Sequence, residues 1–253
     1  MRPAAVGFHC PECVAEAART VRAPRTIAGG AVPSRPGLVT TVLVALNVLA
    51  FLPFLIGGAA GDQLYAWGTM LGRSAGFDNV GVVPGVANGA YWRLLTSAFL
   101  HAGILHIAFN MYALVLFGPL LERLLGWARF LVLYLTCAVS GSVMAYWFSG
   151  PLTPTLGASG AVFGLFGAAL VLLYQRGQDV SFLLLLLGFN VVLSFRSGIS
   201  WQGHFGGLAA GLLLGAVIAY APRARRTAAQ VAVYSLLAVV LVVATLARTA
   251  VLT

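Results

Sequence analysis

Residues 150–174 read GPLTPTLGASGAVFGLFGAALVLLY. The first part, 150–157, carries Pro151 and Pro154 and reads as a turn. From Ser159 to Tyr174 the run is apolar or small without a break, but it falls short of the about 20 residues a membrane crossing needs. A helix this short begins below the membrane surface. Non-helical backbone at that depth is tolerated only where protein buries it or water reaches it, so PLTPTLGA is expected to line a hydrated cavity. Ser159 then stands at a helix N-terminus, where unpaired backbone N–H groups and the positive end of the dipole favour a developing negative charge.

The rest of the chain supplies the membrane context. Of 253 residues, 60% are hydrophobic and 8% charged, with a mean hydropathy of +0.94, whereas a soluble domain carries about 25% charged residues. Six further apolar runs flank the short one, at about 38–57, 94–121, 127–149, 180–195, 201–220 and 229–250. The expected fold is all-α, a polytopic membrane protein with a six-helix core and one additional C-terminal transmembrane helix. Its expected parts are a tail at 1–37, the core at 38–221, and a basic loop with the seventh helix at 222–253.

The net charge is +9, and every cation is an arginine. In a soluble protein that balance would suggest a nucleic-acid partner. Here the arginines punctuate apolar runs instead of forming one basic face, so they read as topology signals and no nucleic acid is expected. The first 37 residues are polar, Arg-bearing and Pro-punctuated, unlike a secretory signal peptide. With the N-terminus in the cytosol, only Arg73, Arg93, Arg196 and Arg248 face outward, which satisfies the positive-inside rule. The expected location is the plasma membrane, crossed several times, with the C-terminus outside. Cys10, Cys13 and Cys137 are too few and too badly placed for a disulfide framework.

Alone, the GASG string at Gly157 to Gly160 describes many close-packed membrane helices. Its position at a helix start inside the bilayer is what makes Ser159 a candidate nucleophile, because an oxyanion hole needs donors of that kind. A serine also needs a base. The intramembrane candidates are His101, His106 and His204. His204 opens GHFGGLAAGLLLG, where Gly203, Gly207, Gly211 and Gly215 recur every four residues, and Gly160, Gly164 and Ala168 form a matching stripe after Ser159. Small residues at that spacing let two helices approach closely, so Ser159 and His204 are expected to meet across a tight contact. An ionisable group in a membrane helix is by default a functional candidate.

A carboxylate to complete a triad is not evident. Asp62 and Asp78 lie in the long connection, and Glu122 stands well over a helical turn from the histidines, so a Ser-His dyad is the better assignment. His106 and Asn110, four apart in HIAFN, project from one helix face and can both donate to an oxyanion. A metal site built on His101, His106 and His204 is the poorer reading, since no HExxH accompanies it, and no metal is assigned.

The order YWR, HAGILHIAFN, ER then LG, GASG and GHFGG is similar to the pattern of the rhomboid family, over about residues 40–220. The resemblance implies an intramembrane serine endopeptidase that cleaves transmembrane segments of membrane-protein substrates, surrounded by lipid and without a cofactor. It implies Ser159 as nucleophile, His204 as base, His106 and Asn110 as oxyanion donors, and Trp92 and Arg93 as the WR pair of the first outer loop. Gly157, Gly160, Gly203 and Gly207 fall in its structural motifs. Many members carry a Tyr four residues after the serine that packs on the base; here Phe163 keeps the stacking and loses the hydroxyl. The HCPEC of the tail resembles half of a zinc ribbon, with at most three ligands, His9, Cys10 and Cys13, where four are needed. The competing readings are non-enzymatic: a transporter, or a pseudoprotease that binds client helices.

Overall fold

The computed structural model describes residues 2, 3, 7–20 and 24–253. Strands β1 (Arg2–Pro3) and β2 (Phe8–His9) pair ahead of helix α1 (Pro11–Thr20). The bundle follows: α2 (Leu38–Ile56), α3 (Ala59–Gly68), the hairpin β3 (Ala75–Phe77) and β4 (Gly81–Val83), the short α4 (Arg93–Thr96), then α5 (Ile104–Leu125), α6 (Trp127–Phe148), α7 (Ser159–Gln175), α8 (Ser181–Ser194), α9 (Trp201–Tyr220) and α10 (Arg226–Leu252). Five of these, α2, α5, α6, α9 and α10, are long and apolar enough to cross a membrane, and α7 and α8 are shorter apolar helices. Many large apolar side chains face outward on them, among them Leu49, Phe109, Phe189 and Val243. Such faces are stable in lipid and not in water. The protein is a polytopic helical membrane protein.

The second span begins later than its hydropathy suggests. Residues 94–103, expected as its start, instead form the end of α4, a 3₁₀ turn at Ser97–Phe99 and a non-helical stretch through His101, and the helix opens at Ile104. Hydropathy could not separate these states, because residues buried in a folded connection are as apolar as residues in a span.

That connection is sewn to the stretch before Ser159. Met70 and Thr155 exchange two backbone hydrogen bonds of 2.9 Å, and Arg73 N–H donates to the Pro151 carbonyl at 2.9 Å. Gly157 N–H donates to the Ser97 carbonyl, also at 2.9 Å. The backbone that cannot be helical is thus satisfied by another irregular segment, as burial at membrane depth requires.

α10 is part of the bundle. The Tyr146 and Thr249 hydroxyls lie 3.1 Å apart, Trp147 Nε1 donates to the Ala244 carbonyl at 3.0 Å, and Arg248 Nε donates to the Tyr146 carbonyl at 3.2 Å. At the opposite end, residues from the expected tail are docked. Thr26 Oγ1 donates to the Leu125 carbonyl at 3.1 Å, Gln230 Nε2 to the Ala28 carbonyl at 3.2 Å, and Arg226 to that of Ile27. Ala28 is fully buried there.

Candidate active site

α7 and α9 cross at their glycines. A Cβ added at Gly207 would overlap the Gly160 carbonyl oxygen, and one at Gly211 would overlap that of Gly164. One at Gly215 would sit 2.9 Å from the Ala168 Cα. The two backbones are therefore in direct contact, as the stripes suggested. α6 joins the contact, which the sequence reading did not include. A Cβ at Gly141 would come within 2.6 Å of the Gly203 carbonyl, and one at Gly206 within 2.6 Å of that of Ser140. The run of small residues from Ser140 to Ser142 carried that signal.

The helix starts of α5, α7 and α9 surround a cavity of about 930 Å³. Ser159, His204, His106, Asn110, Gly157, Gly160, Phe163 and Gly203 all line it, and Thr155, Leu156 and Gly157 of the irregular stretch form part of its wall. Gly207 belongs to the helix contact behind it, and Trp92 and Arg93 lie outside it.

Half-buried Ser159 is the first residue of α7, so its backbone N–H has no partner within the helix. Gly157, two residues earlier, has φ +128°, which favours glycine, and a Cβ there would meet His106 Nε2 at 2.7 Å and Ser159 Oγ at 3.6 Å. His106 Nε2 therefore faces the serine across a gap that only glycine leaves open. The Ala102 N–H donates to His106 Nδ1 at 3.3 Å. Nδ1 is thus the acceptor nitrogen, and the proton of the neutral ring is assigned to Nε2, on the side of Gly157. Asn110 is buried and spends one N–H on the His106 carbonyl at 2.8 Å, leaving the other available.

His204 is 8% exposed and stacks on Phe163, with ring centroids 4.1 Å apart and planes within 12°. Its Nδ1 lies 2.6 Å from Ser194 Oγ, and the Ser194 hydroxyl also donates to the Asn190 carbonyl at 2.8 Å. Ser194 was not among the expected site residues. A serine ending an apolar segment looks in sequence like a solvated helix terminus, whereas this one is fully buried.

The WR pair holds the long connection. Arg93 is fully buried and donates through Nε to the Pro84 carbonyl at 2.7 Å and through a terminal nitrogen to that of Thr69 at 2.5 Å. Desolvation holds its pKa below the ordinary arginine value. Trp92 stacks on Trp67 at 6.3 Å and donates to the Trp67 carbonyl at 3.1 Å. Glu122, far from the histidines, accepts from the Val39 and Thr40 N–H groups and the Thr40 hydroxyl at 3.2 Å each, capping the start of α2.

His101 is 2% exposed and packs edge-on against His106, with centroids 5.0 Å apart. Among the described residues, no group of three or more His, Cys, Asp or Glu is placed to hold a metal ion. Cys10 and Cys13 are free thiols at the start of α1, and the His9 side chain lies outside the described residues.

The model of the rhomboid domain matches residues 88–221, more than half of the chain and all of the cavity. YdcA, a candidate rhomboid protease of Bacillus subtilis (strain 168), is 45% identical over 137 residues, which cover 51% of this chain and 68% of that protein. The rhomboid protease GluP of the same organism is 35% identical over 188 residues, 71% of this chain and 34% of its own length. RHOMBOID-like protein 4 of Arabidopsis thaliana is 35% identical over 138 residues, 52% of this chain and 35% of its own. The chain thus spans only about a third of the length of the latter two relatives. A matched domain that contains every wall of the cavity, carried on a bundle of apolar helices, places this chain in the rhomboid family.

Proposed function

We propose that the chain is an intramembrane serine endopeptidase, with Ser159 as nucleophile, His204 as general base, and His106, Asn110 and the Ser159 N–H as oxyanion donors. The observation that carries this reading is that Ser159, His204, His106 and Asn110 line one cavity, with His106 Nε2 and Ser159 Oγ both beside Gly157. Ser159 Oγ attacks a peptide carbonyl as its proton passes to His204 Nε2. The carbonyl oxygen takes up negative charge beside the donors, which are fixed before reaction and reorganise little. The imidazolium then protonates the leaving amine, and water cleaves the acyl-enzyme by the reverse sequence.

Substrates are transmembrane proteins. A helical segment hides its carbonyls in its own hydrogen bonds, so the segment must unwind to present one to Ser159. The cavity favours this, because Phe109, Tyr112, Phe189 and Leu193 line it alongside the polar groups and suit apolar side chains. The protein lies in the plasma membrane with its N-terminus in the cytosol, which puts the cavity near the outer face.

The test is cleavage of a transmembrane reporter by purified protein in liposomes, with reaction of a fluorophosphonate probe and a zinc chelator as parallel arms. Ser159→Ala is expected to abolish cleavage and labelling. Cleavage that persists in Ser159→Ala, or that a chelator stops without unfolding the protein, would return the histidines to a metal reading.

A further inference from the structure

We propose that Ser194, at the carboxyl end of α8, is the positioning residue for His204, holding it with its proton on Nδ1 and its lone pair on Nε2. The proposal rests on the serine-protease reading above and supplies a component that reading leaves open. A general-base histidine needs its reactive nitrogen unprotonated, and in soluble triads a carboxylate at the other nitrogen enforces this. Glu122 is committed to the N-terminus of α2, and Asp62 and Asp78 lie in the α2–α5 connection.

Ser194 fills the place by hydrogen-bond direction. Its hydroxyl has one proton and two neighbours, the Asn190 carbonyl at 2.8 Å and His204 Nδ1 at 2.6 Å. A carbonyl oxygen can only accept; when the hydroxyl proton is directed at Asn190, Ser194 Oγ faces Nδ1 with lone pairs. In that arrangement Nδ1 carries the hydrogen. Ser194 is fully buried and His204 8% exposed, so each needs the other as a hydrogen-bond partner.

The same contact favours the cation formed during turnover. When His204 takes the Ser159 proton both ring nitrogens bear hydrogen, and Nδ1–H still points at an acceptor. Ser194 is the last residue of α8, and helix carboxyl ends carry partial negative charge that stabilises a nearby cation. Ser194 itself gains and loses no proton. His106 holds the opposite form, with its proton on Nε2 because Ala102 donates to Nδ1. Two histidines lining one cavity are thereby set as a donor and an acceptor.

The experiment uses the full chain in nanodiscs. Histidine labelled with ¹⁵N reports the tautomer of the parent protein, with the His204 signal identified by its loss in His204→Ala. Protonated Nδ1 and unprotonated Nε2 are expected in the neutral ring; protonated Nε2 overturns the proposal, with no Ser194 variant needed. In parallel, Ser194→Ala is expected to lower kcat about ten- to a hundredfold, the range for a lost hydrogen bond to a charged group, with KM unchanged. Ser194→Thr, which keeps the hydroxyl, is expected to restore most of it. A folded Ser194→Ala with the parental kcat, or a folded Ser194→Thr as slow as the alanine variant, overturns the proposal. Ser159→Ala in the same assay separates the two readings. If it still cleaves, the serine mechanism fails on its own evidence, and the tautomer result stands or falls by the spectrum.

Discussion

The α7–α9 contact can be broken without touching a reactive group. Gly207 lies behind the cavity, and a Cβ there would overlap the Gly160 carbonyl oxygen. A backbone carbonyl in a helix cannot swing aside, so in Gly207→Ala the helices must separate by on the order of 1 Å, and further in Gly207→Leu. Each helix carries one half of the proposed dyad within its first turn. A displacement of about 1 Å between reacting groups can cost about a hundredfold in rate, and overpacking of this kind costs about 1–3 kcal/mol of stability. The expected result is kcat about a hundredfold lower for Gly207→Ala, with the fold retained, and lower still for Gly207→Leu. Gly188→Ala is the control, because a Cβ at that α8 position meets nothing within 4 Å. Reporter cleavage in liposomes, normalised to protein folded by thermal melting, gives the comparison. A folded Gly207→Leu that cleaves at the parental rate would refute the packing argument.

Asn110→Ala is expected to lower kcat about a hundred- to a thousandfold, the range for loss of one oxyanion donor, while KM changes little because the lost bond matters most in the transition state. Retained turnover of full magnitude would remove Asn110 from the site. For topology, a cysteine at exposed Asn79, in the turn between β3 and β4, is expected to react with an impermeant reagent in intact cells. Labelling only after lysis would invert the proposed orientation.

How much of this was legible in the sequence depended on whether a position was governed by a local rule. The short α7 was legible because bilayer thickness sets helix length and a turn with two prolines precedes Ser159; α8, which is shorter still, lacks such a turn directly before it. The α7–α9 contact was legible because a repeat of four places glycines on one face. Arg93 and Glu122 show what was not. Both are charged side chains whose partners are backbone groups of distant segments, Thr69 and Pro84 for one, Val39 and Thr40 for the other. A sequence shows the charge but not the atoms that satisfy it. The late start of α5 failed for a related reason, since hydropathy reports burial and not what does the burying.

The histidines carry the point furthest. Sequence identified His106 and His204 as candidates with different tasks, one by its spacing to Asn110 and the other by its glycine stripe. Nothing in either motif says which ring nitrogen bears the proton, and a donor and a base differ by that alone. The Ala102 N–H settles it for His106, four residues away on the approach to its own helix. For His204 the deciding group is Ser194, on a different helix, and its register against α9 depends on the whole length of α8 and the loop that follows. A local neighbour could have been anticipated from the turn into α5, but a neighbour supplied by a separate helix could not. The two rings therefore differ in sensitivity to distant change. A substitution that shifts α8 by a fraction of a turn should disturb the proposed base while leaving the proposed oxyanion donor in place.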